Sequence, residues 1–84
     1  LRRFGTRQIA VTFSSHTQES VQRVLDSLQS ADVEIDSYNM SQQDSGGNKM
    51  YTVTIEMKIK RADYQRHVLK FMREFNGVSV KSIE

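Results

Sequence analysis

The chain has no cysteine, no proline and no tryptophan, and only four glycines among its 84 residues. Without cysteine there is no disulfide, no thiolate metal site and no thiol nucleophile, a composition that suits a reducing compartment. Without proline, no predicted strand or helix is interrupted. No apolar stretch approaches the roughly 18 residues that a bilayer-crossing helix needs, and no secretory signal is visible. The sequence opens Leu1-Arg2-Arg3-Phe4-Gly5-Thr6-Arg7 rather than with methionine, which reads as a piece of a longer protein.

Positive charge is scarce in the body of the chain. Twelve Lys and Arg stand against ten Asp and Glu, a formal net charge of +2. Three of the twelve (Arg2, Arg3 and Arg7) fall in the first seven residues, so nine bases meet all ten acids in the remainder. A nucleic-acid binder carries its positive charge on the folded surface, and this body does not do so in bulk.

What is there is a clear succession of periods. Residues 7–13 alternate, with Ile9, Val11 and Phe13 on one face. Residues 17–30 place Val21, Val24, Leu25 and Leu28 on one helical stripe, with Ser15 or Thr17 available to cap the first-turn amides and Glu19 suited to the positive end of the dipole. The next strand, 33–40, changes phase: Val33 and Ile35 agree, while Tyr38 and Met40 are one step out, which predicts a bulge near Asp36-Ser37. Residues 41–48 contain no apolar side chain and read as a mobile hairpin loop around Gly46-Gly47. In 50–60, Tyr51, Val53, Ile55, Met57 and Ile59 point one way. A second helix, 63–75, carries Tyr64, Val68, Phe71, Met72 and Phe75 on its stripe, with Gly77 suited to a left-handed cap, and 78–83 alternates again.

Strand, helix, strand, strand, helix, strand is the βαββαβ order of the split-βαβ, ferredoxin-like sandwich. The expected architecture is α+β: a four-stranded antiparallel sheet in the order 4-1-3-2 with both helices on one face. The expected core is Ile9, Val11, Phe13, Val21, Leu25, Leu28, Val53, Ile55, Met57, Val68, Phe71, Met72 and Val80. Domain organisation reads as a basic leader over 1–7 and a single folded domain over 8–84.

Candidate chemistry is sparse. The open sheet face would carry Ala10, Thr12, Thr52, Thr54, Glu56 and Lys58, with none of the aromatics on which an RNA-recognition sheet stacks bases; no nucleic-acid partner is expected. His16, at the mouth of the first helix, could line a ligand groove where backbone amides hold an anion. His67 lies beside Arg66 and Lys70, and both imidazoles are expected to be exposed. Asp32, Glu34 and Asp36 form an acidic cluster that reads as a charged edge strand kept from aggregating, and neither they nor Asp44 offer the shaped oxygen cage of a hard cation; no metal and no cofactor is expected. Lys58, Lys60, Arg61, Arg66, Lys70, Arg73 and Lys81 read as a solvated basic face that could meet acidic lipid or phosphate. No nucleophile–base pair or phosphate loop can be assembled, which points away from an enzyme.

The leader Leu1-Arg2-Arg3-Phe4-Gly5-Thr6-Arg7, the run over 8–28 with Glu19-Ser20-Val21-Gln22-Arg23-Val24-Leu25, and the close over 63–75 followed by Gly77-Val78-Ser79-Val80-Lys81-Ser82-Ile83 together resemble the cytosolic C-terminal domain of the MgtC/SapB family of membrane proteins. The resemblance implies an ACT-like form of the sandwich, a non-enzymatic regulatory or protein-interaction role, and an association with magnesium limitation and virulence. It also implies a place on the cytoplasmic face of the bacterial inner membrane, with the fragment itself soluble. Its partners would be the membrane domain of the same chain, a second copy, or another membrane protein. The arginine-rich leader agrees with a cytoplasmic juxtamembrane stub. The other implied reading is a soluble ACT-type module that senses a small metabolite, for which the ligand-binding candidates are Ser15, His16 and Thr17.

Overall fold

A computed structural model describes residues 5–31 and 33–83. Its elements are β1 (Thr6–Ser15), α1 (Gln18–Ser30), β2 (Glu34–Ser45), β3 (Asn48–Lys60), a 3-10 turn at Arg61–Asp63, α2 (Tyr64–Glu74) and β4 (Asn76–Ser82). The four strands form one antiparallel sheet in the order β2-β3-β1-β4. This is the α+β, ferredoxin-like βαββαβ sandwich that the periodicities predict. The leader residues Leu1, Arg2 and Arg3 lie outside the described residues, and β1 already includes Thr6 and Arg7. The Arg7 guanidinium lies 4.3 Å over the Tyr64 ring and so ties the start of β1 to the start of α2.

The two central strands hold the core because each gives the helices a complete apolar face. Ile9, Val11 and Phe13 of β1 sit opposite Met57, Ile55 and Val53 of β3, and all six are sealed from solvent. Val21, Val24 and Leu28 of α1 close over them, with Leu25, Tyr64, Phe75, Val78 and Val80 half-buried at the margins. Thr17 caps α1, its hydroxyl accepting from the Ser20 amide at 3.2 Å. The phase slip in β2 is a bulge between Ile35 and Ser37. It returns Ile35, Tyr38 and Met40 to the helix-facing side, opposite Met57, Ile55 and Val53.

Three expectations need correction. Residues 41–48 are not a loose loop: β2 runs on to Ser45, and only Gly46 and Gly47 turn the chain, at φ +58° and +84°. Two successive positive φ angles make the hairpin turn that matches strand twist. Ladder hydrogen bonds come from the backbone, so polar side chains pair in register as well as apolar ones do, Gln43 with Met50 and Asp44 with Lys49. Gly77 does not cap α2; Phe75 does, in extended conformation, its amide donating to the Phe71 carbonyl at 3.0 Å. Gly77 (φ +65°) instead lies in β4, where the register against β1 shifts between Thr12 and Ser14. Met72, expected in the core, is 55% exposed, and Val68 is only half-buried. The stripe through Tyr64, Val68, Phe71, Met72 and Phe75 is wider than the small sheet can cover. The helix turns its His67–Phe71 line inward and leaves the Met72 flank outside.

Phe13→Ala, at a fully buried position, is expected to lower the unfolding free energy by about 3–5 kcal/mol, whereas Met72→Ala should stay within about 0.5 kcal/mol of the parent. Urea melts of the two variants measure both, and equal losses would contradict the assigned rotation of α2.

Candidate ligand groove and the first turn

The turn from β1 into α1 brings Ser15, His16 and Thr17 together, and each is engaged within the chain. The Ser15 hydroxyl donates to the Thr17 carbonyl at 3.1 Å and accepts from the Thr17 amide at 3.3 Å. The Thr17 hydroxyl serves the N-cap and meets the Ser20 hydroxyl at 2.7 Å. His16 is exposed, and its Nδ1–H donates to the Lys49 carbonyl at 3.1 Å. The carbonyl acceptor fixes that tautomer, and the bond staples the turn to the outer part of the β2–β3 hairpin. None of these three residues lines the groove described next.

That groove, about 470 Å³, lies between α1 and α2. Helical spacing builds both walls: Ser20, Arg23, Val24 and Ser27 from α1, and Arg66, His67, Lys70 and Phe71 from α2, with Glu74 also on the lining. Lys70 spans the gap, its Nζ donating to the Ser27 hydroxyl at 3.2 Å. Arg66 pairs with Asp63 at 3.5 Å on the outer surface, and the Arg23 guanidinium donates to the Ser20 hydroxyl at 3.3 Å. The apolar residues are aliphatic from α1 and aromatic from α2, and the charged groups are mostly cationic.

His67 is the correction that sequence reasoning missed. Expected to be exposed, it is 5% exposed, the one buried polar or charged side chain among the described residues. Its ring makes no hydrogen bond to a described residue, and neither ring nitrogen is fully buried, so both keep some access to solvent in a residue that lines the groove. Burial holds its pKa below the ordinary value of 6.5, Arg66 and Lys70 push the same way, and Asp63 opposes them. The signal in the sequence was the period: His67 stands four residues before Phe71, on the same line.

The two other candidate clusters fare differently: the acidic residues that are described share a face, and the basic ones do not. Glu34 pairs with Lys58 at 3.4 Å and Asp36 accepts from Gln8 at 3.3 Å, both on the open sheet face, while Asp32 lies outside the described residues. No group of three or more potential metal ligands occurs among the described residues. The basic set does not form one face: register places Lys58 and Lys81 on the open side of the sheet, whereas Arg66 and Lys70 line the groove on the helix side. Thr12 and Thr54 share a hydrogen bond at 3.0 Å in the middle of the open face.

A scan against protein-family models finds no match to this sequence, and a search of curated proteins finds none either.

A base held below its ordinary pKa by the fold takes up its proton more readily when unfolded. In the interval between its folded pKa and 6.5 the unfolded chain binds more protons, so stability rises with pH there. The contribution of neutral His67 is complete above that interval and is lost as pH falls through it. Melts at about pH 5 and about pH 7.5 should show the wild type weaker at the lower pH, with part of the difference removed in His67→Leu. An identical difference in the variant would assign the titration to other groups.

Proposed function

We propose that this chain is a non-catalytic regulatory or protein-interaction domain, the cytosolic tail of an MgtC-like membrane protein. The observation that supports it is the unpartnered flank of α2. Leu69 is 49% and Met72 55% exposed, one helical turn apart, on the side of α2 turned away from α1. Apolar side chains gathered on one flank of a helix whose other flank already packs are the raw material of a docking surface. No helix among the described residues is long and apolar enough to cross a membrane, so in this reading the anchor belongs to another part of the parent protein. The partner would be the membrane domain of the same chain, with a second copy or another membrane protein as the other occupants and no role for nucleic acid. The sensing alternative is favoured by a different observation, the groove between the helices rather than the turn at Ser15, His16 and Thr17.

A photo-crosslinking residue placed at Leu69 in the full-length parent should give crosslinks that map to the membrane domain or to a second copy. The same residue at Gln22, exposed on α1, should give none. Equal yields from both positions, or none from Leu69, would remove α2 as the docking element. Met72→Lys should reduce the Leu69 crosslink while leaving the melting curve within about 0.5 kcal/mol of wild type.

A further inference from the structure

The groove between α1 and α2 holds three features that the docking surface does not use. Its lining has three cations, Arg23, Arg66 and Lys70, against one carboxylate, Glu74. Among the described residues, Arg66 alone of the three has a carboxylate partner, Asp63, and that pair is on the exposed side. Arg23 and Lys70 are held instead by the hydroxyls of Ser20 and Ser27, which orient a cation without neutralising it. The second feature is His67, more than nine-tenths buried, without a hydrogen bond to a described residue, and on the lining of the same space. Its ring nitrogens keep a little access to solvent and have no partner among the described residues, and a ligand acceptor in the groove would supply one. The third is the apolar part of the lining, Val24, Leu28 and Phe71, beneath the charged groups. A volume of about 470 Å³ is of the size that takes small organic ligands.

We propose that this groove binds a phosphomonoester with a small apolar body, its phosphate held by Arg23, Arg66 and Lys70 with His67 donating a hydrogen bond, and its body resting on Val24, Leu28 and Phe71. With His67 neutral, three cations stand against Glu74 on the lining and Asp63 beside it, and the two without a carboxylate partner among the described residues, Arg23 and Lys70, match a dianion better than a single carboxylate. Guanidinium groups on both walls offer the paired donors that phosphate oxygens take. The site is separate from the Leu69–Met72 flank, so each reading can fail without the other.

Phosphate binding and His67 protonation are coupled. The groups facing the imidazole are Arg66 and Lys70 on its own helix, Asp63 in the preceding turn, Arg23 across the groove and Glu74 at the end of α2. A bound dianion outweighs the repulsion from Arg66 and Lys70, so it raises the imidazole pKa, and affinity must rise as pH falls through that pKa. Sulfate, which stays dianionic throughout that range, is the probe that isolates this effect.

The test is an NMR titration of the chain with phenyl phosphate, with inorganic phosphate and with sulfate, following backbone amides and the His67 ring. Saturable shifts at Ser27, His67 and Lys70 are expected. Lys70→Gln or Arg66→Gln should weaken phenyl phosphate by about tenfold, the ratio expected for one charge-assisted hydrogen bond. Arg73→Gln, the same charge change on an exposed residue outside the groove, should alter it by less than about twofold. Sulfate should bind more tightly at lower pH in the wild type and without that slope in His67→Gln, whose dispersed spectrum would certify the fold. Phenyl phosphate binding much more tightly than inorganic phosphate assigns the source to a soluble ester. Sedimentation with phosphatidate-containing vesicles, lost in Lys70→Gln and without binding of phenyl phosphate, assigns it to a lipid headgroup. Linear, unsaturating shifts, or equal weakening by Arg73→Gln and Lys70→Gln, would overturn the site, and a sulfate slope that survives in His67→Gln would overturn the role of the imidazole.

Discussion

The structure depends most on the seating of Phe13. Its ring lies 4.5 Å from Phe75 and 5.7 Å from Phe71, centroid to centroid, and the latter two are 6.4 Å apart. All three pairs are tilted, an arrangement that satisfies the ring quadrupoles and adds about 0.5–1.5 kcal/mol per pair beyond area burial. Phe13 stands on a central strand, so this one cluster fastens α2 to the middle of the sheet. Phe71 at its edge also lines the groove. The rotation of α2, and with it the burial of His67 and the exposure of Met72, follows from which side of the helix those rings occupy.

The molecule has two unlike sides. On one, helices cover an apolar sheet face and leave a groove between them. On the other, polar and charged side chains pair with each other across strands, as Thr12 does with Thr54 and Glu34 with Lys58. Cross-strand pairs of this kind contribute a few tenths of a kcal/mol each, too little to organise a fold but enough to keep a flat surface ordered and wet. Recognition that needs desolvation therefore belongs on the helical side, where charge, burial and volume coincide.

Most of the architecture was legible because the periods were unambiguous. Tyr51 through Ile59 alternate without a fault, and the slip between Ile35 and Tyr38 revealed its bulge as a break in phase. What stayed hidden depended on groups that side-chain pattern does not report. The outer hairpin is held by backbone hydrogen bonds, and Ser41 to Asp44 gave no apolar signal to mark it. His67 was obscured by its neighbours: flanked by Arg66 and Lys70, it read as part of a charged face, although its position four residues before Phe71 put it on the inward line. The Ser15, His16 and Thr17 turn was found, but its polar groups were committed to capping and stapling, a matter of geometry rather than composition.

The strand order carries a kinetic consequence. β1 is the first strand in the chain and sits between β3, which follows α1 and β2, and β4, which comes only after the second helix as well. The β2–β3 hairpin closes through a two-residue turn, an event on the order of microseconds. The central pairs, Val11 with Ile55 and Val11 with Val80, close loops of more than forty residues and must meet that entropy before any reward arrives. The hairpin is then the most local of the three strand pairings, and the two that β1 makes carry the larger loop-closure cost. Until β1 pairs with it, one edge of β3 is open, and β4, whose strand partner among the described residues is β1 alone, has no place in the sheet.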